Sequence, residues 1–303
     1  MSEIRKPFWW LVIGVVWAVG GCGDGAPSVS TPGVTSTPIL PPVAAATDAA
    51  PTFVSAPTQT AVLPRRGEEL LGESWEGRPI VAHWFGNGPR KIVLVSNIHG
   101  GTEENTHRLA LEIIAYFEEH LDEVPSDVTL WIIPTANPDG LAHGTRCNAR
   151  GVDLNRNAYN DADSCPENDW ASDTHTTEGI IEGGGGEYPF SEVETQLLRD
   201  FLEDAEVAIF YHSMAGMIFV TSCSDHRASA ELGGCLSEAT GYAFPEEGWG
   251  SYPVTGAMVD YVAYRGVAAA EVELTNKVDT ELERNLDGVR AVMESVDEIV
   301  SVL

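Results

Sequence analysis

The sequence predicts a single α/β domain: a mixed, mostly parallel twisted sheet covered by helices on both faces. Two patterns point there. Short β-branched apolar runs recur along the chain, and segments with apolar residues at helical spacing separate them. Residues 91–97 (KIVLVSN) form such a run, and its lack of polar alternation fits a strand buried on both sides. Leu109, Ile113, Ile114, Phe117 and Leu121 then recur on one helix face. Residues 128–134 and 207–213 read as further strands, residues 217–221 as a strand beside 207–213, and residues 266–274 as another buried strand. Helices are expected over residues 191–202, near 227–240 and over 281–302. Residues 161–188 break the alternation with acidic side chains and a glycine run at 183–186, and read as a long, mobile surface loop.

The chain has 303 residues, room for one sizeable domain with appendages, and a formal charge of −29. That charge, with no cluster of Lys and Arg, argues against a nucleic-acid partner, because phosphate contacts need such clusters. At the N-terminus, Arg5 and Lys6 precede an apolar run from Phe8 to Val19, the pattern of an export signal. The run is too short for a comfortable membrane span, which needs about 20 residues. It ends in Val19-Gly20-Gly21-Cys22, which resembles the lipobox of bacterial lipoprotein signal peptides. That resemblance implies a signal peptide over residues 1–21, a lipid on Cys22 and attachment to a membrane of the bacterial cell envelope, with simple secretion as the alternative. Residues 22–64 are rich in Pro, Ser, Thr and Ala and read as a flexible tether, with the folded domain over 65–303. Four further cysteines, Cys147, Cys165, Cys223 and Cys235, suggest two disulfides in an exported chain. Proximity in sequence favours Cys147–Cys165 and Cys223–Cys235 among the three possible pairings.

Chemistry-bearing residues gather where strands end. His99 closes the strand at 91–97 in the string NIHGGTEENT, and Glu103 opens the next helix. Ligands of α/β sheets collect at such carboxyl ends, and the two glycines permit a tight turn that could bring imidazole and carboxylate onto one ion. Considered alone, a His and a Glu four apart are more often a solvated turn pair. Downstream, TRCNARGVDLNRN at 145–157 packs arginines and amides into a turn-rich segment. Planar guanidinium groups grip carboxylates through paired hydrogen bonds, although an isolated Arg-rich loop is usually a surface salt-bridge loop.

Together these strings resemble the zinc carboxypeptidase family of metallopeptidases, in its bacterial branch with the His-Gly-Gly-x-Glu motif. The resemblance extends along the chain in order, from about residue 65 to the end: Tyr211-His212-Ser213 closes a later strand, Tyr252 precedes a Thr-Gly turn and the Asp260-Tyr261 pair, and Glu273-Leu274 closes the last strand. It implies one Zn²⁺ per chain held by His99, Glu103 and His212, with Glu104 a weaker alternative ligand. It implies Asp153 as the carboxylate orienting His99, and Asn155 and Arg156 as the grip on the terminal carboxylate of a substrate. It further implies Arg146 as the stabiliser of the oxyanion, Tyr252 as the side chain closing over substrate, and Glu273 as general base, with Glu271 on the same strand face as the reserve candidate.

The activity implied is removal of C-terminal residues from peptides. The alternatives are an amidase on peptidoglycan stem peptides (muropeptides), an inactive peptide-binding relative, and a deacylase of the aspartoacylase type, which lacks the arrangement from Tyr252 to Glu273. In this family the residue before the Asp-aromatic pair lines the side-chain pocket, and here it is Val259, with Met258 beside it. With no charge supplied by that turn, neutral terminal residues are expected to be preferred over Lys and Arg.

Overall fold

The computed structural model describes residues 65–159, 169–177, 179–221, 226–245 and 252–302. Contacts divide the chain into Met1–Gln59 and Thr60–Leu303, and every described residue belongs to the second unit. The expected signal peptide, the tether and Cys22 lie outside the described residues.

Among the described residues the main sheet has seven strands. Their order is β1 (Arg66–Glu73), β2 (Pro79–Gly86), β4 (Val128–Ile133), β3 (Arg90–Ser96), β7 (Val207–Ser213), β9 (Ala268–Leu274) and β8 (Ile218–Val220). The four strands β4, β3, β7 and β9 run parallel; β2 and β8 flank them antiparallel, and β1 pairs antiparallel with β2 at the outer edge. This is the mixed, mostly parallel sheet that the apolar runs predict. Every residue of β7 is buried, as a central strand covered on both faces requires.

Alternate side chains of each strand enter two different cores. Ile92, Leu94, Val207, Ile209, Ala268 and Ala270 pack with α1 (Glu104–Glu119), α4 (Arg227–Thr240), α6 (Leu282–Glu294) and α7 (Val296–Val300). Val93, Val95, Ala208, Phe210 and Ala269 pack on the other face with α3 (Val193–Leu202) and α5 (Met258–Tyr264). By the same alternation His212, Glu271 and Glu273 lie on the α3–α5 face, two of them at the carboxyl ends of their strands.

Three expectations need correction. Residues 217–221 do not pair with β7, because both edges of β7 are taken by β3 and β9; β8 instead pairs antiparallel with β9, Ile218 opposite Val272. The helix expected over 281–302 is broken at Ser295, whose φ of −103° and ψ of 8° leave the helical region between α6 and α7. Within the expected loop at 161–188, β5 (Thr174–Thr176) and β6 (Gly179–Ile181) pair antiparallel just before the glycine run.

Candidate metal centre and active site

The metal-ligand turn is built by hydrogen bonds that no side-chain pattern announces. After β3 the backbone turns at Asn97, buried and left-handed at φ 57°. Its Nδ2 donates to the carbonyls of Gly100 and Glu103 at 2.6 and 3.1 Å, and Thr135 Oγ1 donates to its Oδ1 at 2.9 Å. Gly100 and Gly101 follow because the turn lies against α2 (Pro138–His143) and its cap. A Cβ on Gly101 would stand 2.3 Å from Gly144 Cα, and one on Gly100 2.4 Å from the Thr145 carbonyl oxygen. Asn137 caps α2 through Gly140 N–H and donates from Nδ2 to the carbonyls of Ile98 and Arg146, binding the two segments together. Nothing in the sequence beyond the turn-forming character of Asn marks Asn97 or Asn137 as site builders.

This clamp brings the three expected ligands together. His99 Nδ1 lies 2.8 Å from Glu103 Oε1; His212 Nδ1 lies 3.2 Å from Glu103 Oε2 and 3.1 Å from His99 Nδ1. All three residues are buried, and one ligand atom from each falls within a 4.8 Å group. Burial pushes the Glu103 carboxyl up, but the two imidazoles beside it outweigh that and hold it well below the usual carboxylate range. Burial works against a charge on His212, yet Glu271 and Glu103 push its pKa up to about 9. Two ring nitrogens and a split carboxylate facing one point, with carboxylates gathered around them, form a donor set that calls for a cation. A His₂Glu set with room for a further ligand suits zinc. Glu104 opens α1, exposed and outside this group.

Around the ligands stand the other expected residues. Asp153, fully buried, lies 3.3 Å from His99 Nε2, and Arg146 Nε donates to its Oδ2 at 2.8 Å. Burial raises the Asp153 carboxyl, and Arg146 and His99 more than reverse it, so it stays well below the ordinary aspartate range. Arg146 Nη2 also reaches His99 Nε2 at 2.8 Å. The two contacts on Nε2 need different tautomers: acceptance from Arg146, donation to Asp153. A cation held by this group through Nδ1 would select the second, since the ring proton would then sit on Nε2.

Arg156 is buried, its Nη1 donates to the Asn155 carbonyl at 2.6 Å, and its Nε has no hydrogen-bond partner. Asn155 is engaged at both ends: Oδ1 accepts from Met258 N–H at 2.9 Å, and Nδ2 donates to Glu271 Oε1 at 2.8 Å. Glu273 Oε2 accepts from Ala215 N–H at 3.1 Å, and Glu273 stands level with His212 across β9 and β7. His99, Glu103, His212, Arg146, Asn155, Arg156, Tyr252, Val259, Glu271 and Glu273 all line one cavity of ≈ 490 Å³. Tyr252 is half-buried on its wall.

The cysteines do not join in. Cys147 and Cys235 are half-buried free thiols, so neither expected bridge is present at them; Cys165 and Cys223 lie outside the described residues. Burial pushes the Cys147 thiol up to about 11, which keeps it protonated and unreactive.

Residues 68–284 match the sequence model of the zinc carboxypeptidase family. Murein peptide amidase A of Escherichia coli (strain K12) is 28% identical over 181 residues, which are 57% of this chain and 67% of that protein. A zinc carboxypeptidase of Simulium vittatum is 28% identical over 164 residues, 48% of this chain and 53% of that one. Bacteriocin BCN5 of Clostridium perfringens is 29% identical over 150 residues but is matched over only 15% of its length, so the chain spans less than two thirds of these last two. In fold, the murein-tripeptide amidase of Escherichia coli O157 aligns with a TM-score of 0.54 at 20% identity, covering 77% of this chain and 93% of that one. Thrombin-activatable fibrinolysis inhibitor aligns with a TM-score of 0.61 at 19% identity, covering 78% and 69%.

Proposed function

This chain belongs to the zinc carboxypeptidase family, and from that premise we propose that it hydrolyses the last peptide bond of peptide substrates. One observation carries the reading: two arginines and the half-buried Glu273 share a cavity with the His99–Glu103–His212 group. His99, Glu103 and His212 would hold the zinc, which would supply Lewis acidity to the site. Glu273 accepts the proton of the attacking water and delivers it to the departing amine. Arg146 faces the developing oxyanion with a charge that Asp153 keeps in place. Asn155 and Arg156 hold the terminal carboxylate; the unpartnered Nε of Arg156 is a donor ready for it. Tyr252 closes the wall over the bound residue.

A second reading, an amidase on muropeptides, is favoured by the alignment over 93% of the murein-tripeptide amidase fold. Sequence alone supports export and a lipid on Cys22, which would put either activity in the cell envelope.

The test is product analysis by mass spectrometry on N-blocked dipeptides, longer peptides and muropeptides, alongside metal analysis of the purified protein. About one zinc per chain and chelator-sensitive release of single terminal residues are expected. Full activity without metal would overturn the assignment, and cleavage confined to muropeptides would select the amidase reading.

A further inference from the structure

Glu271 brings an additional carboxylate to the cavity wall, on the same face of β9 as Glu273. Glu273 stands level with His212, whereas Glu271 stands level with Phe210, one pleat deeper. At about 3.3 Å of rise per residue, that places it roughly 7 Å further down the strand. The cavity it lines also carries Val254, Ala257, Val259 and Phe219, the last standing opposite it across β8 and β9, together with the buried carboxylate of Asp260. Its Oε1 takes both of its contacts, the Asn155 amide at 2.8 Å and His212 Nε2 at 3.5 Å, and the side chain remains 16% exposed. Among the described residues, neither Lys nor Arg pairs with it. A partly buried carboxylate is costly unless a cation meets it, and here His212 is committed to the metal group.

We propose that Glu271 is the specificity residue of this recess and selects substrates whose last residue carries a side-chain ammonium or guanidinium. The inference rests on the carboxypeptidase reading, because it takes Asn155 and Arg156 as the anchor of the α-carboxylate. Asn155 touches Glu271, so a residue anchored there starts its side chain beside the Glu271 carboxylate. This reverses the preference expected from Val259. That residue does line the cavity uncharged, but Glu271 brings a carboxylate from β9, and Asp260 next to Val259 lines the same cavity.

The competing role for Glu271 is to position Asn155 and His212 without touching substrate. Zinc-loaded wild type and Glu271→Gln should be compared at high salt on N-blocked dipeptides ending in Lys, Arg, Leu and Phe. The wild type is expected to favour Lys and Arg over Leu by about 10-fold or more in kcat/KM, and the ratio should fall to near one in Glu271→Gln. A wild type without that preference overturns the proposal, as does a loss by the same factor for every ending, which marks a positioning residue. Calorimetry with free lysine and norleucine, which differ by the ammonium alone, gives a second measure independent of turnover. Lysine should bind the wild type more tightly, and the two should bind Glu271→Gln alike. Lysine-selective binding without hydrolysis would leave Glu271 as a cation site and remove the carboxypeptidase reading; hydrolysis with equal binding of the two amino acids would do the reverse.

Discussion

Glu273 shows how one side chain's surroundings set its chemistry. Burial raises its carboxyl above the ordinary glutamate value, with Glu103 and Glu271 adding to the rise and His212 opposing it. A general base must be ionised, so kcat/KM should fall on the acid side through a pKa above about 4.3, the unperturbed glutamate value. Glu273→Gln should retain zinc, lose about 10²-fold or more in kcat and lose this acid limb, which metal analysis and a pH–rate profile would check. An unchanged rate would move the base role to Glu271. At this scale the sequence was informative for residues whose chemistry is carried by type and order: His99, Glu103, His212, Arg146 and Glu273 all reach one cavity. It was silent on Asn97, because the role of that residue depends on a left-handed backbone and on carbonyls three and six positions away.

Between elements, the decisive contact is the glycine turn after β3 against the end of α2. Gly101→Ala would force a methyl onto Gly144 Cα, with backbone on both sides and no side chain to yield. A loss of about 1–3 kcal/mol in unfolding free energy, with weaker zinc retention, is expected from denaturant titration and competition with a chelator. α2 is also tied to the turn between β1 and β2 by Asp139, whose carboxylate accepts from Ser74 Oγ at 2.6 Å, Glu76 N–H at 3.0 Å and Arg78 Nη1 at 2.6 Å. Burial raises the Asp139 carboxyl, and these three donors together more than reverse it, so its pKa in the folded protein is depressed. The stabilisation is therefore present above the unfolded aspartate value of about 3.9 and is lost as pH falls through the depressed folded value. Asp139→Asn should unfold at lower denaturant than wild type at neutral pH, and the gap should close in strong acid. A gap that persists at the lowest pH would show that packing, and not the charge, is at stake.

Over the whole molecule, the formal charge of −29 acts at long range and the cavity at short range. Fields of this kind alter encounter and are screened within about 8 Å at physiological ionic strength. Rising salt should thus lower kcat/KM for peptides ending in Lys while leaving kcat for the same peptides unchanged, with a neutral peptide as control. The sequence by itself did not mark β1, β2, α2 or α5. It determined the buried strands β3, β4, β7 and β9 and the helices among them, the shared face of Glu271 and Glu273, and the ordered set of ligand, base and arginine types. These follow from local periodicity and from chemistry that only certain side chains possess. Tertiary structure alone decided what lies at which depth. The pairing of β9 with β7 sets Glu273 beside His212 and sinks Glu271 one pleat below, and the same pairing turns β8 away from β7. Such register is fixed by contacts between segments some 60 residues apart, Tyr211 with Val272 and His212 with Glu273, and no local pattern in either strand records its partner.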